Sequence, residues 1–472
     1  MAGTVLGVSA DGTTTLAHAV GTRSDLPVDL YVVITAGALA VVVSFVALAA
    51  LWRTPKLRGD AAGAPLPAGL QRVLESAPLL WALRLVALAV ALFVTAVALF
   101  GPSEGSFNLA PYALYVTFWV GLIPASLLLG PVWRVVSPLR TLHRLLVPLT
   151  GPAPAAGRLG DVGLYPAAVG ILAFTWLELV YPDRAVPQTV GVVIVLYAVV
   201  QLVAALWYGE EWFARGEAFE VWSTLLGRLS PWGRRTDGRL VVRNPLDGLD
   251  GTPVLPGTAA FTVVLIGSTG FDGVTRASWW QEAFPLSGAD VLVPTLGLFG
   301  VIALVAALYY GATALAGRTS RTPGAPEVFA HSLVPIAAGY AVAHYFSLLV
   351  FEGQLTWILA SNPFGLDGVD VFGTYRNEVD LNVVSPDTIS AVQVTAIILG
   401  HVLGVVLAHD RAVKTATAAL AAPAAPEPGG GGVATKVRTA PAAAHTTART
   451  SQYPLLVVMV AITVGGLALL LG

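Results

Sequence analysis

Residues Leu79 to Phe100 read LLWALRLVALAVALFVTAVALF, 22 residues with a single charge at Arg84. About 20 predominantly apolar residues, each rising about 1.5 Å, cross a hydrocarbon core of about 30 Å. The segment is therefore expected to span a membrane. Working outward, the pattern recurs at Leu30 to Trp52, Pro111 to Gly130, Val162 to Tyr181, Pro187 to Tyr208, Asp290 to Gly317, Phe329 to Glu352, Pro386 to His409 and Tyr453 to Leu471, with a shorter tenth segment at Pro256 to Phe271. The predicted fold is all-α: a polytopic integral membrane bundle of about ten transmembrane helices.

Composition agrees. Hydrophobic residues make up 56% of the 472-residue chain and charged residues 11%, against roughly 45–50% and 25% in soluble globular proteins. A chain this apolar needs lipid as its solvent, and the lipid bilayer is its first expected partner. With 26 basic and 28 acidic residues there is no bulk positive field to hold a nucleic acid. Cysteine is absent, which removes disulfides, thiolate nucleophiles and Cys-ligated metals.

Charge placement sets the expected orientation, because cytoplasmic loops accumulate Lys and Arg. If all ten segments cross, 21 basic residues fall on one side, while Arg23, Arg184, Arg276 and Arg376 fall on the other. Omitting the short segment would move Arg318 and Arg321 outward and the acidic loop 353–385 inward. Ten crossings with both termini outside, in the cell (plasma) membrane, are expected. Residues 1–29 lack a basic and an apolar region, so they read as an extracytoplasmic tail rather than a cleaved signal.

The bundle itself is expected over 30–411. Its cytoplasmic loop 209–255 carries Phe219, Trp222, Leu225, Leu226 and Leu229 at helical spacing, which predicts an amphipathic helix on the inner interface near Ala218 to Leu229. Thr236-Asp237-Gly238 before Arg239 to Arg243 predicts a turn entering a short strand. Residues 412–452 are rich in Ala, Pro and Thr and contain Gly429 to Gly432. They are expected to form a disordered cytoplasmic linker before the last span, 453–472.

Neither a GxxxxGK[ST] phosphate loop nor an HExxH zinc helix is present. What remains is ionisable residues at membrane depth, which are costly and by default point to function. His331, His344 and Glu352 share one span, with His344 about 12 Å beneath Glu352 on roughly the same helix face. His344 and Glu352 are the first candidates for catalysis. His18 and Asp25 on the outer tail could join them as ligands for a divalent metal, with Glu178 and Asp272 as weaker candidates. His401 and His409 lie on the next span. The 13-residue spacing of His331 and His344 is similar to the paired histidines of membrane cytochromes b, but the 8-residue spacing of His401 and His409 departs from that pattern and disfavours haem. Pro124, Pro294 and Pro335 lie within spans and could open them for a site.

Four stretches, His18 to Pro27, Gly216 to Arg234 (GEAFEVWSTLLGRLSPWGR), Gly267 to Gly273 and Ala343 to Gln354 (AHYFSLLVFEGQ), resemble polytopic membrane proteins labelled fenitrothion hydrolase. That resemblance implies hydrolysis of an organophosphate triester, an apolar small molecule that would partition into a lipid-accessible pocket. A metal-bound hydroxide held by His and carboxylate could attack phosphorus there. Two other classes fit the same residues: a small-molecule or metal-ion/proton-coupled transporter, whose buried His and Glu relay a cation, and a structural or assembly subunit of a membrane complex.

The uneven division of basic residues yields a direct test in this Cys-free chain. A cysteine at Glu104→Cys should react with an impermeant maleimide from outside intact cells, and one at Thr236→Cys should react only after lysis. The reverse accessibility would invert every assignment of sidedness.

Overall fold

The structure is a computed structural model that describes residues 30–284, 290–421 and 450–471. The tail with His18 and Asp25 lies outside these residues, as does most of the expected linker, from 422 to 449. Among the described residues, eight helices are long and apolar enough to cross a membrane. Two shorter apolar helices, Tyr165–Leu179 and Tyr453–Leu471, occupy the other two expected positions. The doubtful sixth segment is a regular 19-residue helix, Thr258–Arg276.

Successive helices run in opposite directions, because alternate connections meet at the same end. At one end, Gly59 lies against Gly251, Gly130 near Ser230 and Gly163 against Pro256. At the other, Gly105 lies against Ala185, Gly365 against Pro102, and the rings of Phe93 and Phe364 stand 6.4 Å apart. The first end holds the arginine-rich loops. There a small antiparallel sheet pairs Leu240–Val242 with both Ala64–Pro65 and Trp232–Arg234, closing the turn expected at Thr236 to Gly238.

The acidic residues Asp60, Asp250 and Asp410 at this end are paired. Asp60 receives Arg228 at 2.7 Å and Arg243 at 2.9 Å. Asp410, fully buried, accepts from the Trp52 indole at 2.8 Å and the Lys56 amide at 2.7 Å, with Lys414 at 3.0 Å. Lys414 also reaches Asp250. These bonds explain one correction: the helix beginning at Pro386 does not stop at His409 but continues to Ala421, burying Ala412, Val413 and Ala416. The boundary expected at 412 is overturned because Lys414 and the buried alanines tie this stretch to the bundle.

A second correction concerns the loop 209–255. A helix does form, Ala218–Gly227, but it does not lie on the interface. Its polar residues Glu220 and Ser223 are as buried as Phe219 and Trp222. Ser223 shares a hydrogen bond of 2.8 Å with Ser126, and Glu220 takes two from Arg140. The face that reads as water-facing is covered by partners that supply opposite charge.

Close helix packing rests on glycine. A Cβ on Gly339 would stand 2.3 Å from the Ala396 carbonyl oxygen, one on Gly400 2.5 Å from that of Pro335, and one on Gly404 2.8 Å from that of Ser332. Ala396, Gly400 and Gly404 repeat every four residues and form the small-residue seam that lets backbones approach in a membrane. Gly339→Val should therefore destabilise the detergent-solubilised protein by about 1–3 kcal/mol, the usual range for overpacking. An unchanged melting temperature would mean that the two helices are not held at this distance.

Candidate functional site

The least apolar of the eight long spans, Thr258–Arg276, is also the most buried. It supplies Asp272 and, one turn later, Arg276. The helix Val334–Phe351 supplies His344. The Asp272 carboxylate and His344 Nε2 are in direct hydrogen-bond contact. Arg276 Nη2 lies 3.3 Å from Asp272 Oδ2 and 3.3 Å from His344 Nε2. The side chains of His344 and Asp272 are 1% and 8% exposed and that of Arg276 34%, so the guanidinium connects a buried pair to the surface. His344 packs edge-on against Tyr345, with ring centroids 4.8 Å apart.

An imidazole nitrogen and a carboxylate oxygen in contact need one proton between them, carried by either partner. His344 Nδ1 is buried and has no hydrogen-bond partner among the described residues. Glu178, at the end of the Tyr165–Leu179 helix, is buried and within electrostatic reach of Asp272 and Arg184. The Trp119 indole lies nearby without meeting hydrogen-bond geometry, and Glu178 Oε2 and Tyr115 Oη are likewise unpartnered among the described residues. Tyr115 and Trp119 belong to a nine-residue π-helical stretch, Tyr112–Val120, a wider winding frequently found at functional sites.

The structure thus brings together His344, Asp272 and Glu178 from the expected set and leaves the others apart. Glu352 sits half-buried where the His344 helix ends, with Tyr112 as its electrostatic neighbour, and no contact joins it to His344. The carboxylate in contact with His344 is that of Asp272, from the neighbouring helix; Glu352, expected to line the same outward-facing site from two turns further along its helix, does not touch it. Among the described residues no group of three His, Asp or Glu side chains is placed to hold a metal. His18 and Asp25 of the expected ligand set lie outside those residues.

Two of the remaining span histidines have partners of their own. His401 Nδ1 is 2.9 Å from the Ile397 carbonyl oxygen of its own helix. His409 Nε2 is 2.9 Å from the Trp52 carbonyl oxygen and its Nδ1 3.1 Å from Gln452. His331 lies by the backbone at Val328 and Leu407, with neither ring nitrogen in hydrogen-bond geometry among the described residues.

Arg276 was absent from the sequence-derived candidates, although its i,i+4 spacing from Asp272 is a readable signal. A second buried polar cluster, at the arginine-rich end, also escaped notice. Arg140 binds both oxygens of Glu220 and reaches Glu210 at 2.8 Å. Glu217 caps the Ala218–Gly227 helix through the amides of Phe219 and Glu220, and takes the Tyr197 hydroxyl at 2.6 Å and the Trp133 indole at 3.0 Å. Set against protein-family models, curated proteins and solved structures, the chain matches none of them.

Burial pushes the Glu217 carboxyl up to about 7; the Tyr197 hydroxyl opposes the shift and the Glu220 charge adds to it. Because the folded value exceeds the ordinary 4.5, the folded state binds more protons than the unfolded chain between the two. The Glu217 contribution to stability should be greatest below about pH 4.5, fall as pH rises toward 7, and level off above. Melting temperatures of wild type and Glu217→Gln, compared across that window, should diverge with this sign. A constant difference would remove the titration.

Proposed function

We propose that the protein is a proton-coupled transporter of small solutes in the plasma membrane, with Asp272 and His344 as its proton-carrying pair and Glu178 as an adjoining acid. The observation that carries this reading is the Asp272–His344 contact, buried between two helices of a membrane bundle, with Arg276 leading from it to the surface. Ionisable groups are expensive at membrane depth and mark ion or proton pathways. A carboxylate and an imidazole that share one proton carry no net charge between them, and loss of that proton leaves a carboxylate whose charge the Arg276 guanidinium, 3.3 Å away, compensates. On the expectation that basic loops stay cytoplasmic, this pair lies toward the outer face.

A second reading is organophosphate triester hydrolysis. It draws on the resemblance carried by Gly216 to Arg234 and Ala343 to Gln354, and on the capacity of an Asp-paired imidazole to act as a general base. On this reading, His344 Nδ1 would take a proton from an attacking water.

One preparation separates the two. Purified protein in liposomes on a solid-supported membrane should give a transient current after a pH jump. Asp272→Asn should abolish that current, while His409→Ala and Glu352→Gln should leave it. A silent wild type, or an unaltered Asp272→Asn, would overturn the transporter reading. If the same liposomes instead released nitrophenolate from a nitrophenyl phosphotriester in a His344-dependent manner, hydrolysis would take its place.

A further inference from the structure

The helix Leu292–Ser320 ends at Arg321, whose backbone is left-handed at φ 54°. The chain then turns through Thr322 to Gly324 into the short segment Ala325–Phe329. Between them lies a cleft of about 440 Å³, lined by Ala314, Gly317, Arg318, Arg321, Pro323 and Pro326. Both arginines are exposed, and among the described residues neither meets an acidic partner. Glu327, the acid closest in sequence, is occupied by the amides of Gly257 at 3.1 Å and Ala259 at 3.0 Å. Arg318 and Arg321 form a cationic cleft still open to an anion.

Two further features select the anion. Below the cleft, the outward face of the same helix exposes Leu304, Ala307, Gly311, Ala314 and Leu315. A Cβ on Gly311 would meet nothing within 4 Å, so this apolar face is open where it leads up to the cationic cleft. A soluble anion has no use for an apolar face, whereas an amphiphile with an anionic head fits both parts. The second feature is the residue at the helix end. A left-handed position is one that glycine adopts with least strain, and here an arginine holds it. Strained residues persist where the side chain has a task that the surroundings enforce, ligand clamps among them.

We propose that this cleft binds the phosphodiester headgroup of an anionic phospholipid, held by Arg318 and Arg321, with an acyl chain along the exposed apolar face from Ala314 toward Leu304. The site lies at the arginine-rich end of the bundle, where basic residues at the bilayer surface attract anionic lipid. It is independent of the Asp272–His344 pair, which belongs to the opposite end of the helices.

The test is thermal stability and native mass spectrometry of the purified full chain, titrated separately with dioleoyl phosphatidylglycerol, dioleoyl phosphatidylcholine and inorganic phosphate. Phosphatidylglycerol should raise the melting temperature above the phosphatidylcholine value, and its tightest-bound copy should survive in the spectrum. Loss of both guanidiniums in Arg318→Gln/Arg321→Gly should weaken that binding by about tenfold or more, as expected for two basic groups at an anionic surface. Arg321→Gly alone relieves the left-handed strain and should melt no lower than wild type in the absence of lipid, so its lost affinity cannot be assigned to misfolding. Equal effects of the two lipids, a retained preference in the double variant, or a shift reproduced by phosphate alone would overturn the phospholipid site.

Discussion

A charge inside a hydrocarbon medium must be partnered or shielded by protein, and the layout of the bundle follows from that requirement. The helix Thr258–Arg276, with its threonines, serine, aspartate and arginine, is the span that lipid would tolerate least, and it is buried along almost its whole length. The segments richest in Leu and Val, such as Leu30–Leu51, Pro187–Tyr208 and Leu292–Ser320, bury little of themselves and supply the lipid-facing wall. Burial here runs opposite to the rule for soluble proteins, in which the most apolar segments seek the interior. The polar centre is possible because Asp272 finds His344 and Arg276, while the helix's hydroxyls bond to carbonyls in the preceding turn, as Thr269 and Ser268 do to Leu265.

The two ends of the bundle meet the requirement differently. At the arginine-rich end the pairs are many, and most involve at least one partly exposed partner. Each such pair is worth only about 0–1 kcal/mol. The exception is Arg140–Glu220, in which both side chains are buried; Asp410 is itself fully buried and is held by Trp52, Lys56 and the partly exposed Lys414. Removing one partner of a buried pair leaves an uncompensated charge and costs about 3–5 kcal/mol. This end is accordingly fastened by a few buried carboxylates, with the surrounding salt bridges adding little. Toward the other end the buried acids Glu178 and Asp272 sit near Tyr115, Trp119 and His344, each with a buried polar atom unpartnered among the described residues; His143, His331 and Arg411 leave such atoms at the arginine-rich end as well. Unsatisfied buried donors and acceptors are rare enough in folded proteins to demand an explanation in water, ligand or proton.

How much of this was legible in the sequence depended on whether a feature follows from one segment or from two. Length and apolarity are properties of single segments, so all ten helices could be placed, including the short one at Pro256 to Phe271. The partner of His344 is a property of two helices. Glu352 has the right periodicity along the His344 helix, but side chains two turns apart on one helix do not touch, whereas Asp272 meets His344 across the interface. The same limit explains the Ala218–Gly227 helix. Alternation of Phe219, Trp222 and Leu226 with Glu220 and Ser223 says that two faces differ; it does not say whether the polar face meets water or Arg140 and Ser126. The extension to Ala421 failed for a related reason, since alanine and threonine suit a loop or a helix and the decisive contacts of Lys414 come from Asp250 and Asp410.

The glycines bear on how the buried pair could work. Gly339, Gly400 and Gly404 bring the His344 helix into backbone contact with the helix beginning at Pro386, leaving no room for one to slide on the other. Gly267 does the same for the Asp272 helix, where a Cβ would stand 2.7 Å from the Ile302 Cα of the Leu292–Ser320 helix. Two glycine-packed helix pairs thus meet at the buried site, one carrying His344 and the other Asp272, and the His344–Asp272 hydrogen bond lies between them. Packed interfaces of this kind shift as units rather than deform continuously. On the proposed function, then, protonation acts between the two pairs and not within either, and Arg276, the least buried of the three, is the group placed to exchange its partner when the proton arrives.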